Sequence, residues 1–543
     1  MSAFIERLRQ IQKGRESEGR QWVFVAYDQL TDQLEPLSSI PVKELGIILV
    51  ETTWKPAQRP YHKQKLGWIL ANQRHFALEQ AKRGALVRYV FGDRDYGEII
   101  REQAQDVGRL KVMRPAEWEL RRLLKPLVDE GLLEMVPHGG WLTTSAQFQE
   151  SQSGDPPWRM DSFYRLIRRQ NGILMEDGKP LGGQFSLDEE NREFWPGSPK
   201  APELPIFEPD SITKEVGELI EAQFGDHPGV LDLEQIAATR EDAREQWQWA
   251  LDECMEHFGP FEDAMSQNSR TLFHTRISPL LNLHRILPTE VIDDVLELEI
   301  PLNSKEGFIR QVLGWREFMR HVHEQTEGFR ALPGDFAELS SGDSSRGATP
   351  NFLEADRGLP PAYWGAKSGL LCLDDTVQAV VEEGYSHHIS RLMVLSNLAT
   401  LLAIDPREVT DWFWEMYIDA FDWVVEPNVL GMGTFAMSNL FTTKPYVSGS
   451  NYIHKMSDYC GDCAFHPKKN CPIGSLYWAF LDRQQDRLAE QGRMNLMLSM
   501  VRRRSEEKRA WDGRVFELVS EWLEAGEVIT PERLDEAKGQ VDD

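Results

Sequence analysis

The feature that most constrains the fold is a change of hydrophobic pattern along the chain. In the first 150 residues, short apolar runs at 22–27 (WVFVAY) and 46–50 (GIILV) alternate with a helical pattern between Lys65 and Arg83. Buried parallel strands alternate with helices in this way. From about residue 213 onward the strand pattern almost disappears and helical periodicity dominates. The sequence therefore predicts a doubly wound parallel α/β domain followed by a larger all-α domain.

A chain of 543 residues is too long for a single core, so we expect several domains. The residues between the two patterns are rich in Gly, Pro and Ser, and we expect little regular structure there. The charged first residues are expected to form a surface helix or a frayed extension. The predicted division is an N-terminal extension over 1–21, an α/β domain over 22–150, a connector over 151–212, a helical domain over 213–525 and an acidic tail over 526–543.

Composition excludes several classes of protein. No apolar run reaches the roughly 18 residues that a membrane span needs, and the N-terminus has no apolar secretory segment. Five cysteines in so long a chain argue against a fold that is held together by disulfide bonds. We therefore expect a cytoplasmic monomer. The net charge of -27 argues against a general nucleic-acid coat, so any DNA site must be a local basic patch, such as 165–169 or 502–509.

Three of the cysteines are crowded together. Cys460 and Cys463 form a CxxC turn, and Cys471 follows eight residues later. Three thiolates around one site require a fourth ligand. The distant Cys372 would complete a four-cysteine iron–sulfur site, whereas His466 would complete a zinc site. The spacing leaves both open, beside the simpler possibility of three unliganded core cysteines.

Several longer segments carry a resemblance to a known family. They are AYDQL, GKPLGGQFSLDEENRE, RISPLLN, EGFIRQVLGWREF, GYSHHISRLMVLSN, EPNVLGMGTFA and KPYVSGSNYIHKMSDYCGDC. In this order and spacing the sequence resembles the bacterial iron–sulfur photolyases and cryptochromes, the photolyase-related group that includes prokaryotic (6-4) photolyases. The resemblance runs from about residue 22 to about residue 510.

The resemblance implies three cofactors. FAD would lie bent within the helical domain, and a 6,7-dimethyl-8-ribityllumazine antenna would bind to the α/β domain. A [4Fe-4S] cluster would be held by four cysteines, which leaves Cys254 as an ordinary core residue. The implied cluster ligands are Cys372, Cys460, Cys463 and Cys471.

The flavin contacts are also implied by the resemblance. The segment from Ser278 to Leu281 would bind the pyrophosphate, Arg391 and Asp419 would form a buried ion pair beside the isoalloxazine, and Glu426 would lie opposite flavin N5. The implied flavin-binding residues are Ser278, Leu280, Leu281, Gln311, Arg316, Arg391, Asp419, Asp422 and Glu426.

Two acidic residues of the first domain follow predicted strands. Asp28 and Glu51 stand where open α/β sheets bind ligands, and the family uses acidic groups near this crevice to bind the lumazine. A carboxylate at a strand end is equally typical of a helix cap or a turn. Both interpretations stay open.

Adjacent histidines carry the implied repair chemistry. Reverting a (6-4) photoproduct needs proton transfer, for which a histidine is suited. By resemblance, His388 is the lesion-facing acid, His387 is its neighbour and Tyr446 flanks the pocket. Without the resemblance, two adjacent helix histidines would be interpreted as a buried hydrogen-bonded pair or as surface residues.

Photoreduction of the flavin requires aromatic stepping stones. The resemblance points to Trp364 and Trp412. The next position, often Tyr in the group, is Phe413 here, a much poorer electron donor. The route could instead pass through Trp414 or Trp423.

Three functions are therefore compatible with the sequence. The first is a light-driven lyase that binds UV-damaged DNA and reverses (6-4) photoproducts. The second is a cryptochrome that keeps the cofactors but signals through a protein partner. The third, a zinc-bearing structural protein without flavin, would give a colourless preparation.

Overall fold

The computed structural model describes residues 2–340, 347–489 and 492–542. Its first part is built on a five-stranded parallel sheet with the strand order β3-β2-β1-β4-β5. The chain moves outward from β1 on one side and resumes on the other side with β4, which is the doubly wound arrangement. The predicted α/β fold is thus confirmed. The strands are β1 (Gln21–Phe24), β2 (Leu45–Thr52), β3 (Leu86–Gly92), β4 (Leu110–Met113) and β5 (Leu133–Val136).

Strand β2 shows why the sheet forms here. All eight of its residues are buried, as expected for a parallel strand that is covered by helices on both faces. Its sequence, LGIILVET, has no alternation of polar and apolar residues. The helices of this region are Ala3–Ile11, Trp54–Gln58, Lys63–Arg83, Tyr96–Val107, Trp118–Asp129 and Ser145–Ser151.

The N-terminal residues pack against this sheet domain. The Ser2 side chain accepts a hydrogen bond from the Ile5 backbone and caps the helix Ala3–Ile11. Phe4 and Leu8, one turn apart on that helix, are buried. The helix therefore belongs to the core rather than to a frayed extension.

The segment that links the two halves is more regular than its composition predicts. It contains the helix Met160–Asn171, which buries Phe163, Tyr164 and Ile167 at helical spacing. A short antiparallel hairpin of Met175–Glu176 and Lys179–Pro180 follows. Gly and Pro are confined to the stretches on either side of the helix. The average composition of the whole segment therefore did not indicate the helical periodicity of residues 160–171.

From residue 211 onward the described chain is helical, as predicted. The α-helices are Ser211–Phe224, Arg240–Trp249, Met255–Phe258, Ser278–Asn282, Pro288–Glu297, Leu302–Ile309, Glu317–Gln325, Leu371–Glu383, Asn397–Leu401, Pro406–Met416, Asp422–Glu426, Ser450–Met456, Tyr459–Asp462, Pro472–Arg483, Gln485–Ala489, Asn495–Arg503, Glu506–Glu524 and Pro531–Asp542. No helix in the described part of the chain is long and apolar enough to cross a membrane.

Wider π-helical turns interrupt several of these helices. They are Ala250–Cys254, Arg310–Arg316, Ser390–Ser396 and Pro427–Gly433. Turns of this kind are frequent at functional sites because the extra residue redirects side chains. The last three contribute residues to one cavity in the helical half.

The end of the chain also packs onto the helical half. The Ile529 backbone N–H donates to the Ser368 carbonyl at 2.9 Å, and Leu534 on the last helix is buried. Of the predicted acidic tail, Asp543 lies outside the described residues. The rest is anchored rather than free.

Candidate flavin and repair site

The helical half encloses a cavity of about 300 Å³. Its walls come from the helix that begins at Ser278, from the helix that precedes Asp419 and from the three π-helical turns named above. Among the residues predicted from the sequence, the structure brings the following to this cavity: Ser278, Leu281, Gln311, Arg316, His388, Arg391 and Asp419.

A hydrogen-bonded ion pair lies on one wall. Arg391 donates through both terminal nitrogens to Asp419, at 3.0 Å each, and the Ser278 hydroxyl donates to Asp419 Oδ2 at 2.6 Å. Burial alone would raise the pKa of Asp419, but Arg391 and Ser278 hold it below its ordinary value. The carboxylate is therefore charged, and its orientation is set before any ligand binds.

Arg316 is a buried cation with weak partners. Its polar contacts are long, 3.5 Å to Glu317 Oε1 and 3.4 Å to the Leu281 carbonyl, and Nε has no hydrogen-bond partner among the described residues. Burial lowers the pKa of Arg316 to about 10. An anion in the cavity would supply the missing interactions, so the donor set fits the pyrophosphate of a dinucleotide.

The two adjacent histidines have different surroundings. His388 faces the cavity and is exposed to solvent there, whereas His387 is buried behind it. Burial among the cavity walls, with a smaller contribution from Arg391, lowers the pKa of His388, and its solvent exposure limits that effect. Only His388 is placed to meet a ligand.

A third histidine, missed in the sequence, lies against this pair. His274 lines the cavity, and its ring stacks on His387 at 4.4 Å between centroids with an angle of 10°. Burial lowers the pKa of His274 to about 3, with a smaller effect from His388, so the stack is neutral. An isolated histidine produces no pattern. Its position four residues before Ser278 was the one available signal.

Two predicted flavin contacts lie elsewhere. Asp422 accepts hydrogen bonds from the Trp118 and Glu119 backbone at 2.7 and 3.2 Å, at the start of the helix Trp118–Asp129. Neither Asp422 nor Glu426 lines the cavity.

Glu426 is buried in an ion cluster instead of facing the flavin cavity. It pairs with His323 Nε2 and Arg407 Nη1, at 3.0 Å each. The reason is helical spacing. Residues 422 and 426 are four apart and share one face of their helix, while the neighbouring residues Trp423, Val425 and Asn428 line the cavity.

Two further predicted residues are also outside the cavity wall. Leu280 is fully buried in the core, beneath the residues of its helix that do reach the cavity. Tyr446 is half-buried and lies within electrostatic reach of Asp188 and Arg192, a region that also influences His388 through Asp188. Tyr446 thus belongs to the surroundings of His388 rather than to the flavin wall.

The aromatic residues form a path out of the cavity. Phe413 and Tyr417 line the wall and stack on one another at 5.1 Å. Trp412 lies behind them, 5.1 Å from Phe413 and 5.9 Å from Tyr417 between centroids, and donates from Nε1 to the Tyr363 carbonyl at 2.9 Å. Trp364, next to Tyr363 in the chain, is 46% exposed.

The other predicted routes differ in where they lead. Trp414 lines the wall of another cavity, described next, while Trp423 lines the flavin cavity. Trp423 contacts Trp141 edge to face at 4.9 Å. The Arg316 guanidinium lies 4.5 Å from the Trp141 ring centre, and this positive charge disfavours removal of an electron from Trp141.

A second cavity of about 430 Å³ lies between the sheet domain and the helical half. Glu51 lines it and is held by Arg74, at 2.6 and 2.9 Å, and by the Tyr89 hydroxyl at 2.6 Å. Lys65 donates from its buried Nζ to the Trp414 and Ala420 carbonyls, at 2.6 Å each. Ala420 lines both cavities, so a single wall separates them.

Asp28 does not reach either cavity. It is buried, and neither carboxylate oxygen accepts a hydrogen bond from another described residue. Burial raises the pKa of Asp28 to about 7. Its backbone carbonyl pairs with His284 Nδ1 at 2.6 Å.

The four predicted cluster cysteines converge. Cys372, Cys460, Cys463 and Cys471 line one small enclosed cavity near the C-terminal end. Burial, with smaller contributions from the neighbouring thiols, raises the pKa of Cys460 to about 11 and that of Cys471 to about 12. An all-sulfur donor set in apolar surroundings fits an iron–sulfur cluster.

The zinc alternative is not supported by the same geometry. His466 is exposed, does not line that cavity and accepts a hydrogen bond from the Lys468 backbone through Nδ1. Within the described ranges, no group of three or more His, Cys, Asp or Glu side chains, the four converging cysteines included, is arranged to hold a single metal ion. Cys254 is buried apart from the cluster cysteines, with its Sγ 3.9 Å from the His274 carbonyl.

The fold and the cavity define a photolyase-type flavin-binding protein, and comparison with known proteins agrees. A family profile described as deoxyribodipyrimidine photo-lyase-related protein matches residues 23–235. A second, described as the FAD binding domain of DNA photolyase, matches residues 308–466.

Individual relatives point to the particular family. A (6-4) photolyase of Agrobacterium fabrum (strain C58 / ATCC 33970) is 35% identical over 510 residues, which cover 90% of this chain and 97% of the relative. Uncharacterized protein R855 of Acanthamoeba polyphaga mimivirus is 38% identical over 104 residues, 19% of this chain and 81% of that protein. The chain belongs to the bacterial iron–sulfur photolyase family.

A solved structure supports the fold. The crystal structure of a bacterial class III photolyase from Agrobacterium tumefaciens matches with a TM-score of 0.54 and 17% identity. The match covers 88% of this chain and 93% of that one. The match therefore supports the same overall fold for this chain.

Proposed function

We propose that this protein is a light-driven DNA lyase that reverses pyrimidine (6-4) photoproducts. The observation that carries the proposal is the cavity in which His388 faces the same space as the Arg391–Asp419 ion pair and the unsatisfied Arg316. The 35% identity to a (6-4) photolyase over nearly its whole length supports it.

The residues of the cavity would hold FAD by complementary charge. Arg316 and the Ser278 region would bind the pyrophosphate, and the Arg391–Asp419 pair would orient the isoalloxazine. Bound FAD would supply blue-light absorption and a transferable electron, which side chains cannot supply. Gln311, which donates to Glu262, would complete the wall.

His388 would supply the proton for the repair step. Damaged bases must leave the duplex to reach such a cavity, and the phosphates of bound DNA then bring negative charge to its mouth. Negative charge raises the pKa of an imidazole, so binding would move the pKa of His388 toward neutrality and allow a ring nitrogen to donate. His387 would act as a positioning neighbour, and Tyr446 would flank the lesion.

We also propose the two remaining cofactors. Cys372, Cys460, Cys463 and Cys471 would hold a [4Fe-4S] cluster. The larger cavity would hold the lumazine antenna, since its aromatic walls suit a planar ring and Glu51 can accept a hydrogen bond from it.

The test is light-dependent repair. Reduced protein is mixed with oligonucleotides that carry either a (6-4) or a cyclobutane lesion, illuminated, and assayed for restored thymines. We expect repair of the (6-4) lesion, and a loss of about 100-fold or more in His388→Ala. His387→Ala is the matched variant, and its loss should be smaller because its ring does not face the cavity.

The same experiment decides the alternative. A cryptochrome-type photoreceptor would bind FAD and respond to light without restoring either lesion. Repair of neither lesion by protein that carries flavin would contradict the proposal and favour that photoreceptor. A preparation without flavin would contradict both.

A further inference from the structure

The helix Asn495–Arg503 presents an unusual surface. Leu498 and Val501 are buried, whereas Leu496 is 73% exposed and Met500, one turn further on, is 45% exposed. Single exposed apolar residues are common, but two stacked one turn apart form a continuous ridge.

Two arginines extend this ridge at both ends. Arg503, on the same helix, and Arg493, in the short 3₁₀ turn Gly492–Met494 that precedes it, are also exposed, and positions 496, 500 and 503 follow the spacing of one helix face. We call Arg493, Leu496, Met500 and Arg503 the basic–apolar ridge.

The ridge begins beside the proposed repair site. Arg493 Nη1 donates to the Thr443 hydroxyl at 3.3 Å. Thr443 lies three residues before Tyr446, and Arg493 lowers the pKa of Tyr446 electrostatically, in part opposing the effect of burial. A molecule that reached Tyr446 from outside would therefore also meet the ridge.

The charge of the ridge is available to a partner. Nearby, Arg504 pairs with Asp512 and Arg509 pairs with Asp482. In contrast, Arg493 and Arg503 have no ion pair with any carboxylate in the part of the chain that the structure describes. On a chain of net charge -27, unpaired cations mark the surface that an anion can approach.

We propose that the basic–apolar ridge contacts duplex DNA beside the displaced lesion, an inference that rests on the proposed repair function. Arg493 and Arg503 bind phosphates on either side. Leu496 and Met500 pack against the bases that lose their stacking partner when the lesion leaves the duplex. Apolar side chains are used in this way by proteins that unstack or kink DNA.

The arrangement also resembles a basic amphipathic surface that could lie on an anionic membrane. The contact between Arg493 and the loop before Tyr446 favours DNA, because it makes the ridge continuous with the lesion pocket. Membrane binding is therefore treated as an outcome of the test.

The experiment measures binding by fluorescence anisotropy over a series of salt concentrations. The probes are a duplex with one (6-4) photoproduct, the same duplex undamaged, and vesicles of phosphatidylcholine with phosphatidylserine. The variants are Leu496→Ala/Met500→Ala and Arg493→Ala/Arg503→Ala. Matched controls are Ile206→Ala, which is 66% exposed, and Arg9→Ala on the exposed face of the first helix.

The two variants should fail in different ways. We expect the apolar variant to weaken binding of the damaged duplex by about tenfold and of the undamaged duplex by less than twofold. The arginine variant should weaken both by a similar factor and lower the salt slope by about two, roughly one for each phosphate contact. Both controls should match the parent, and flavin content should be unchanged in all.

Three results would overturn the inference. Ridge variants that bind both duplexes like the parent would exclude a DNA contact. A loss on vesicles as large as on DNA would assign the ridge to a lipid surface. A parent protein that does not prefer the damaged duplex would contradict the proposed function itself, whereas the first two results leave that function intact.

Discussion

The two large cavities of the molecule differ in how their polar groups are satisfied. In the larger, between the sheet domain and the helical half, Glu51 is already bound by Arg74 and Tyr89, and Lys65 is bound by backbone carbonyls. In the smaller, within the helical half, Arg316 Nε has no hydrogen-bond partner in the part of the chain that the structure describes. The polar groups of the larger cavity are thus bonded to one another and to the backbone, whereas the smaller cavity contains an arginine with only long contacts, 3.4 and 3.5 Å. A weakly bonded buried charge, rather than volume, distinguishes the flavin cavity.

The largest effect should come from Asp419→Ala. This change leaves Arg391 without its carboxylate, and because Arg391 is about one-fifth exposed we expect a cost of about 2–4 kcal/mol rather than that of a fully buried ion. FAD content should fall with it, since the pair lines the flavin cavity. Flavin absorbance per protein and thermal unfolding measure the two effects.

Asp419→Asn is the control for that prediction. The amide still accepts from the Ser278 hydroxyl, so flavin content should lie between those of the parent and of Asp419→Ala. Full flavin retention in the alanine variant would show that the ion pair does not orient the cofactor.

Glu51→Gln is the corresponding change in the other cavity. Arg74 is 1% exposed and would keep Glu215, at 3.1 Å, as its remaining carboxylate partner. We expect a cost of about 2–3 kcal/mol in the free energy of unfolding, with the flavin content unchanged. Loss of FAD from this variant would contradict the inference that flavin binds only in the smaller cavity. The antenna, if bound as proposed, should be released.

The contrast between these two ion pairs also separates what the sequence could predict from what it could not. The apolar run of β2 predicts a fully buried strand without further information, and the structure agrees. Arg391 and Asp419 are 28 residues apart, and no local pattern pairs them. They were identified by resemblance to a family.

The predicted flavin contacts that lie away from the cavity share a physical reason. For Asp422 and Glu426, the sequence shows that both occupy one helix face, but tertiary packing decides which face meets the cavity. That face turned out to be the one with Trp423 and Asn428. His274 was missed for a related reason, because its stacking on His387 joins segments more than 100 residues apart. Local periodicity carries no information about either.

Asp28 gives a pH-dependent effect in the sheet domain. Its pKa is about 7 in the folded protein and 3.8 ordinarily, so protonation of Asp28 stabilises the folded state relative to the unfolded state. That contribution is complete below about pH 4 and is lost as the pH rises through 7. At pH 8 the buried carboxylate is charged.

Asp28→Asn should remove this dependence. We expect the variant to equal the parent near pH 4 and to be more stable by about 4 kcal/mol at pH 8. Denaturant unfolding at the two pH values measures the difference. A variant that is less stable than the parent at pH 8 would mean that the charged carboxylate has a favourable partner, which would contradict this prediction. The flavin content should be the same in the variant and the parent, because Asp28 does not line the flavin cavity.

The smallest effect concerns the supply of electrons from the aromatic side chains to the flavin cavity. Trp412 lies behind Phe413 and Tyr417, and of these two wall residues only Tyr417 is an effective one-electron donor. Its ring lies 4.2 Å from the Arg391 guanidinium, whose charge disfavours oxidation of Tyr417, so Tyr417 should supply only part of the electrons.

We expect Tyr417→Phe to slow flavin photoreduction by about two- to threefold and Phe413→Tyr to restore the rate in that background. Both should leave flavin content unchanged. Laser-flash absorbance of the flavin measures the rates. An unchanged rate in Tyr417→Phe would mean that electrons reach the flavin cavity directly from Trp412, in which case Trp412→Phe should stop photoreduction while Tyr417 remains in place.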